Sequence, residues 1–126
     1  MTGKQILLMT VYGVIGWFAA AMLLRWLGPL MFGLGPLHAV ILVISAVIAY
    51  PTIWIAARIS GVAMGHMLQP TVVFTAAATL CDGIAVTYFP QVYGGVGPNL
   101  TYAAGAILFG VSWLLIVAVW LQREAE

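Results

Sequence analysis

An all-α bundle of four transmembrane helices follows from three observations on the sequence. Charged residues make up 6% of the 126 positions, against about 25% in a soluble domain. Hydrophobic residues make up 64% and the mean hydropathy is +1.14, more apolar surface than a water-soluble fold of this length can hide. The sparse charges and the Gly/Pro clusters cut the chain into four apolar stretches, each near the ~20 residues that a bilayer core requires. The chain therefore reads as a single integral membrane domain over residues 1–126, with the lipid bilayer as its solvent.

The first predicted span runs from about Ile6 to Leu27. Lys4 and the run Ala19-Ala20-Ala21 superficially fit a signal peptide, but the apolar stretch exceeds the 7–15 residues of a signal core, so a retained helix is expected. The second runs from about Leu37 to Ile59 and contains Pro51, whose ring clashes with the carbonyl of Val47 and loosens the helix there. The third starts at Pro70, a favoured first-turn residue, and stops before Pro90, giving a span of about 70–89. The fourth, about 99–121, takes its start signal from Pro98 and Asn99.

With four spans the two termini share one side with the loop between the second and third helices, and that side carries Lys4, Arg58 and Arg123. The other side carries Arg25 alone. Lys and Arg flanking short loops stay in the cytoplasm, so both termini are expected there. The first loop on the far side, from Trp26 to Pro36, is apolar and rich in Gly and Pro, as expected of a segment that dips into the membrane or caps the bundle, and the second, from Pro90 to Pro98, resembles it.

In lipid, helices approach through small residues and interhelical hydrogen bonds. Small-residue stripes read as packing seams: Gly13, Gly16 and Ala20 on the first helix, Ser45, Ala49, Thr52 and Ala56 on the second, Ala103, Ala106 and Gly110 on the fourth. On the third helix the stripe is polar. Thr71, Thr75, Thr79 and Asp82 fall within an arc of about 80°, and that face must look inward. Threonine hydroxyls can satisfy themselves on the carbonyl one turn back. Asp82 cannot, and a carboxyl at membrane depth needs a proton, water or a partner.

Arg25 is the candidate partner. At ~1.5 Å per residue Asp82 lies about 18 Å above the start of its helix and Arg25 about 28 Å above the start of the first, and helical side chains lean toward the N-terminus. Three roles follow for Asp82: a structural pair with Arg25, a proton- or substrate-coupled acid, or a contact with another subunit. Arg25 has its own alternative, which is to snorkel to the headgroups beside Trp26.

Several function classes lose support. A formal charge of +1 offers no basic patch for nucleic acid. The lone Cys81 allows no intrachain disulfide or cysteine-based zinc site and reads as a small core residue. His38 and His66 fall at opposite membrane faces, ~30 Å apart, which is too far to share a metal or haem. No nucleophile–base pair, phosphate loop or paired carboxylates occur, so no catalytic residues, metal or cofactor are expected and an enzyme is not. Trp54 and Trp120 fit an interfacial belt, whereas Trp17 and Trp113 fall near mid-membrane as bulky packing residues.

The order Trp17…Arg25-Trp26-Leu27-Gly28, Tyr50-Pro51, Leu80-Cys81-Asp82, Phe89-Pro90…Pro98-Asn99-Leu100 and Phe109-Gly110 resembles a family of small bacterial four-helix integral membrane proteins of unknown function. The chain departs from the family pattern at Ala78-Thr79, where a Pro-Gly is usual, and in a longer loop before Pro98. The resemblance implies that Arg25 and Asp82 are recurring charged positions and that the location is the bacterial cytoplasmic (inner) membrane. It carries no activity. Two functions are expected: a non-enzymatic structural or accessory subunit of a homo-oligomer or larger membrane complex, locked by Arg25–Asp82, or alternatively a minimal oligomeric proton- or cation-coupled transporter or channel using Asp82.

Overall fold

The structure, a computed structural model, describes residues 1–32 and 38–126. Gly33-Leu34-Gly35-Pro36-Leu37, with the predicted start of the second span and the end of the loop expected to cap the bundle, lies outside the described residues, whereas the first part of that loop, from Trp26 to Phe32, continues α1 as helix. Four long helices account for most of the rest: α1 over Gly3–Phe32, α2 over His38–Ser60, α3 over Leu68–Tyr88 and α4 over Pro98–Ala125. All four are long and apolar enough to span a membrane. Single 3-10 turns over Met64–His66 and Pro90–Tyr93 interrupt the α2–α3 and α3–α4 connections, and neither was expected from the sequence.

α1 and α4 run longer than the apolar stretches that predicted them. α1 starts three residues before Ile6 because Thr2 and Gln5 cap it reciprocally: the Thr2 N–H donates to Gln5 Oε1 at 2.8 Å and the Gln5 N–H to Thr2 Oγ1 at 3.2 Å. This capping box satisfies donors that a helix start leaves unpaired. Gln5 Nε2 also donates to the Ser60 carbonyl at 3.2 Å, which fastens the start of α1 to the end of α2. We expect Thr2→Ala to cost about 0.5–2 kcal/mol, read as a lowered unfolding midpoint in detergent with the helix content outside the first turns of α1 unchanged. At the other end of that connection α2 stops at Gly61, whose φ of 70° suits the left-handed position after a helix and whose N–H bonds the Ala57 carbonyl at 2.9 Å.

Around the bundle the order is α1, α3, α4, α2. The most extensive contacts join α1 to α3 and α2 to α4, which are parallel pairs, while α3 and α4 meet as an antiparallel pair and α2 scarcely touches α3. Two buried clusters stack along the axis. The one nearer the termini gathers Met9, Ile53, Ala56, Ala57, Met67, Phe74 and Ala118, and the one at the far end gathers Ala21, Ala85, Tyr93 and Ala103.

Small residues let the helices close on one another, as expected, but not everywhere on the anticipated face. On α2 Ser45, Ala49 and Ala56 are buried and Thr52 is partly so. On α4 Ala103 is buried, with Ala106 and Gly110 half-buried. On α1 only Gly13 of the expected stripe is at the seam. Gly16 and Ala20 are exposed, and the seam runs instead through Met9, Gly13, Trp17, Ala21 and Gly28, at a spacing of mostly four residues. At Gly13 the α1 backbone lies directly against that of α3: a Cβ there would overlap the Phe74 carbonyl oxygen and stand 3.0 Å from Phe74 Cα.

Pro51 sits within α2 without ending it. Beside it, Thr52 Oγ1 donates to the Ile48 carbonyl at 2.7 Å, and the Tyr12 hydroxyl crosses from α1 to the Thr52 carbonyl at 2.8 Å. Those bonds support the backbone where proline removes a donor. Elsewhere the outer surface is apolar: only 6% of the most hydrophobic window of α4 is buried within the bundle, and Leu7, Val47, Leu80 and Leu108 all face outward. A soluble protein does not expose contiguous apolar surface on this scale, and lipid accepts it at no cost.

Candidate functional site

Asp82 and Trp17 each stand fourteen residues beyond the first residue of their helices, Leu68 and Gly3, which at ~1.5 Å per residue puts both about 21 Å up a parallel pair. The helix starts are offset, however: Gly13 lies against Phe74, so Asp82, eight residues beyond Phe74, stands about 6 Å further along the axis than Trp17, four residues beyond Gly13. The third member comes from the α3–α4 connection. Phe89 closes α3 with a non-helical backbone (φ −134°, ψ 55°), Pro90–Tyr93 form one 3-10 turn, and Gly94, at a φ of 98°, ends it. Backbone bonds from Gly94 N–H to the Gln91 carbonyl at 3.1 Å and from Gly95 N–H to the Pro90 carbonyl at 3.0 Å fold this strap back on itself. The fold-back turns Tyr93 into the bundle, where it is 2% exposed.

There the Tyr93 hydroxyl donates to Asp82 Oδ1 and accepts from Trp17 Nε1 at 3.1 Å. Indole, phenol and carboxyl thus form a hydrogen-bonded chain linking α1, the strap and α3. Burial first, and then the neighbouring Asp82 carboxyl, push the Tyr93 phenol above its usual range, so it stays protonated and remains a donor at neutral pH.

The structure does not bring Arg25 to Asp82. Arg25 is exposed on α1, eight residues and so about 12 Å above Trp17 along the axis, and the groups acting on Asp82 are Tyr93 and Trp17, with no cation among the described residues. Two neutral donors, the Tyr93 phenol and behind it the Trp17 indole, take the place expected for Arg25. Arg25's exposed position matches the snorkelling alternative.

The threonine stripe does face inward. Thr71 and Thr75 are buried and Thr79 half-buried. Thr75 Oγ1 donates to the Thr71 carbonyl and Thr79 Oγ1 to the Thr75 carbonyl, both at 2.7 Å, so these two hydroxyls satisfy themselves on their own helix. Thr71 Oγ1 differs. It is fully buried and finds no hydrogen-bond partner among the described residues.

Cys81 is half-buried and lines an open groove of about 270 Å³ with Trp17, Ile84, Ala85, Phe89 and Val92. His66 stands exposed on the 3-10 turn near the termini and borders a wider groove with Leu68, Gln69, Val72 and Gln122. No group of three His, Cys, Asp or Glu side chains gathers among the described residues in a way that could hold a metal ion. Trp113 is half-buried, and Trp54, at the terminal end of α2, lies under the Arg58 guanidinium at 4.9 Å from its ring centre, an i, i+4 cation–π pair.

Compared with protein-family models, curated proteins and solved structures, the chain matches none. What it does therefore rests on its own geometry.

Trp17 and Tyr93 were missed as site residues from the sequence. Trp17 was legible in part, since its place near mid-membrane on the first helix could be read from the sequence. Tyr93 carried no comparable signal, because its inward turn depends on a 3-10 turn that no periodicity announces.

Proposed function

We propose that this chain is a non-enzymatic multi-pass protein of the bacterial inner membrane, with both termini cytoplasmic, acting as a structural or accessory four-helix subunit within a homo-oligomer or a larger membrane complex. One observation carries the reading: the carboxyl at membrane depth is tied to neutral donors from two other segments, α1 and the strap, as a group that fastens a bundle is. Asp82 in this reading locks the strap and α1 to α3, and Tyr93 fills the place expected for Arg25. Orientation follows from Lys4, Arg58 and Arg123 at the termini end, with Arg25 alone among the Lys and Arg residues toward the other. Exposed apolar faces on every helix leave ample surface for neighbouring subunits or lipid.

A second reading, a minimal proton- or cation-coupled transporter using Asp82, draws on the unpaired Thr71 Oγ1, a buried hydroxyl on the same stripe. Proton flux separates the two. Liposomes containing the wild type, under a pH gradient with or without sodium or potassium, are expected to leak no faster than protein-free vesicles, and Asp82→Asn to change nothing. Flux in the wild type that disappears in a folded Asp82→Asn protein would replace the structural reading with the transporter.

A further inference from the structure

Of the five tyrosines, four have an evident place. Tyr12 reaches across to the Thr52 carbonyl and Tyr93 to Asp82, while Tyr88 and Tyr102 stand at the far-side ends of α3 and α4, where aromatic residues with a polar tip meet the headgroups. Tyr50 is the exception. It is exposed on the outside of α2, and its hydroxyl has no hydrogen-bond partner among the described residues. Two observations give its depth. Lys4 and Arg25 stand 21 residues apart on α1, about 31 Å and so one bilayer core, which puts the midplane near Val14 and Ile15. The bond from Tyr12 to the Thr52 carbonyl sets Thr52 beside Tyr12, and Tyr50, two residues nearer the far side on the oppositely running α2, falls within about one turn of the midplane. Acyl chains at that depth offer neither donor nor acceptor, and a phenol is too short to reach the headgroups.

An acceptor stands one turn away on the same face. Pro51 has no N–H to give, so the Val47 carbonyl lacks its helical donor, and Val47 and Pro51 are both exposed. The inner side of α2 shows how a neighbouring helix serves such a stretch, for there the Tyr12 hydroxyl crosses to a backbone carbonyl. On the outer side no segment among the described residues does the same. The spacing of that outer face suits a helix partner. Val40, Val43, Val47, Tyr50 and Trp54 recur at intervals alternating between three and four residues, all exposed, within an arc of about 80°. This is the seam of two helices that cross at a shallow angle. Lipid accepts apolar residues equally well, so the spacing supplies the geometry, and the unmet donor and acceptor supply the need for a partner.

We propose that α2 packs in parallel against α2 of a second copy of this chain along Val40, Val43, Val47, Tyr50 and Trp54, each Tyr50 hydroxyl donating to the Val47 carbonyl of the other copy. A second copy is the occupant because the face is self-complementary: about a two-fold axis along the membrane normal, the donor and acceptor of one chain meet the acceptor and donor of the other. Copies inserted with one orientation bring equal heights together. The remaining offset of three residues, about 4.5 Å, runs toward the helix N-terminus, which is the way helical side chains lean. Lipid would leave both groups unmet in hydrocarbon, where that is costly. This interface deepens the proposed subunit role and rests on it in one respect, that the chain assembles in a membrane; it gives Asp82 no part.

The test is cysteine cross-linking of the full chain in native membranes, in a Cys81→Ala background. Val43→Cys and Val47→Cys are expected to give a disulfide-linked dimer on oxidation, since a two-fold seam brings equivalent Cα atoms within the ~4.4–6.8 Å that a disulfide spans. Leu80→Cys on α3 and Leu108→Cys on α4, which also face outward, are expected to give none. Energy transfer between labelled chains in liposomes then measures the dissociation constant. Tyr50→Phe keeps the ring and removes the hydroxyl, and is expected to weaken the dimer about eightfold, the equivalent of two interhelical hydrogen bonds of average transmembrane strength. Its unfolding midpoint as a dispersed monomer in detergent is expected to match the wild type, because the hydroxyl bonds nothing among the described residues of its own chain. No cross-linking at Val43 or Val47, equal cross-linking at Leu80 or Leu108, or an unchanged dissociation constant in Tyr50→Phe would overturn the proposal. A chain that stays monomeric leaves the accessory role within a larger complex standing, and proton flux through Asp82 would remove that role while leaving this interface intact, so the two fail separately.

Discussion

Replacing Gly13 is expected to do more damage than any other single change on the apolar surface of α1. The α1 and α3 backbones touch at this point, so even the methyl of Gly13→Ala would overlap the Phe74 carbonyl oxygen. Backbone cannot rotate away as a side chain can. The helices must separate or slide, and the neighbouring packing goes with them: Met9 and Phe74 are buried in the same cluster, and the Tyr12 ring meets the Phe74 ring edge-on at 5.2 Å between centres. Overpacking of this kind costs about 1–3 kcal/mol for a small insertion. Gly13→Leu is expected to exceed that and to prevent assembly of the bundle, whereas Gly16→Leu, three residues on, where a Cβ meets nothing within 4 Å, is expected to stay within about 0.5 kcal/mol of the wild type. The check is the unfolding midpoint of the three variants in the same detergent. Equal midpoints for Gly13→Leu and Gly16→Leu would mean that α1 and α3 do not meet as described.

That pair of glycines also shows what the sequence could and could not say. Four spans were legible because apolar length between charges is a property of the chain itself, and each predicted span falls almost entirely within an observed helix. The face that each helix turns inward was legible only where polarity broke the symmetry. On α3 the threonines and Asp82 marked the inner side, and Thr71 and Thr75 are indeed buried. On α1 both sides are apolar, since lipid rewards the same residues as a seam does, and Gly16 and Ala20 could not be told from Gly13 and Ala21 by composition. The extra turns at the helix ends had a different cause. The capping box of Thr2 and Gln5 is readable as a T-x-x-Q pattern but lies outside the hydrophobic stretch used to set the boundary.

For the candidate site the charged residues were the natural place to look, and they gave half the answer. Asp82 was rightly singled out as needing a partner at depth. Arg25 was paired with it because opposite charges suggest themselves in sequence, but the structure meets the carboxyl with a phenol and an indole, which carry donors without the desolvation cost of a second buried charge. Tyr93 reaches it from eleven residues away through a 3-10 turn and a glycine at a φ of 98°. The Gly-rich composition of the strap announces a turn and leaves its direction open.

The identity of Asp82's partner therefore carries the other large expected effect, and a mutant cycle decides it. Asp82→Leu strands the Tyr93 hydroxyl in a site that is 2% exposed, and a buried donor left unpaired costs about 1–3 kcal/mol. Tyr93→Phe strands the carboxyl instead, although Asp82 is only half-buried and recovers part of its loss from water. Side-chain hydrogen bonds between transmembrane helices average near ~0.6 kcal/mol, those to charged groups about 1.5–3. The coupling between Asp82 and Tyr93 is accordingly expected at about 1–2 kcal/mol, with Asp82→Leu/Tyr93→Phe more stable than the sum of its parents would give. Arg25→Met is expected to change the unfolding free energy by less than about 0.5 kcal/mol, as an exposed side chain does. Had Arg25 been the partner, its removal would leave a buried carboxylate and cost about 3–5 kcal/mol. The two arrangements therefore differ by several kcal/mol in a single measurement on Arg25→Met, and by the presence or absence of coupling in the cycle. A destabilised Arg25→Met together with an additive Asp82/Tyr93 cycle would move the lock from the strap to α1.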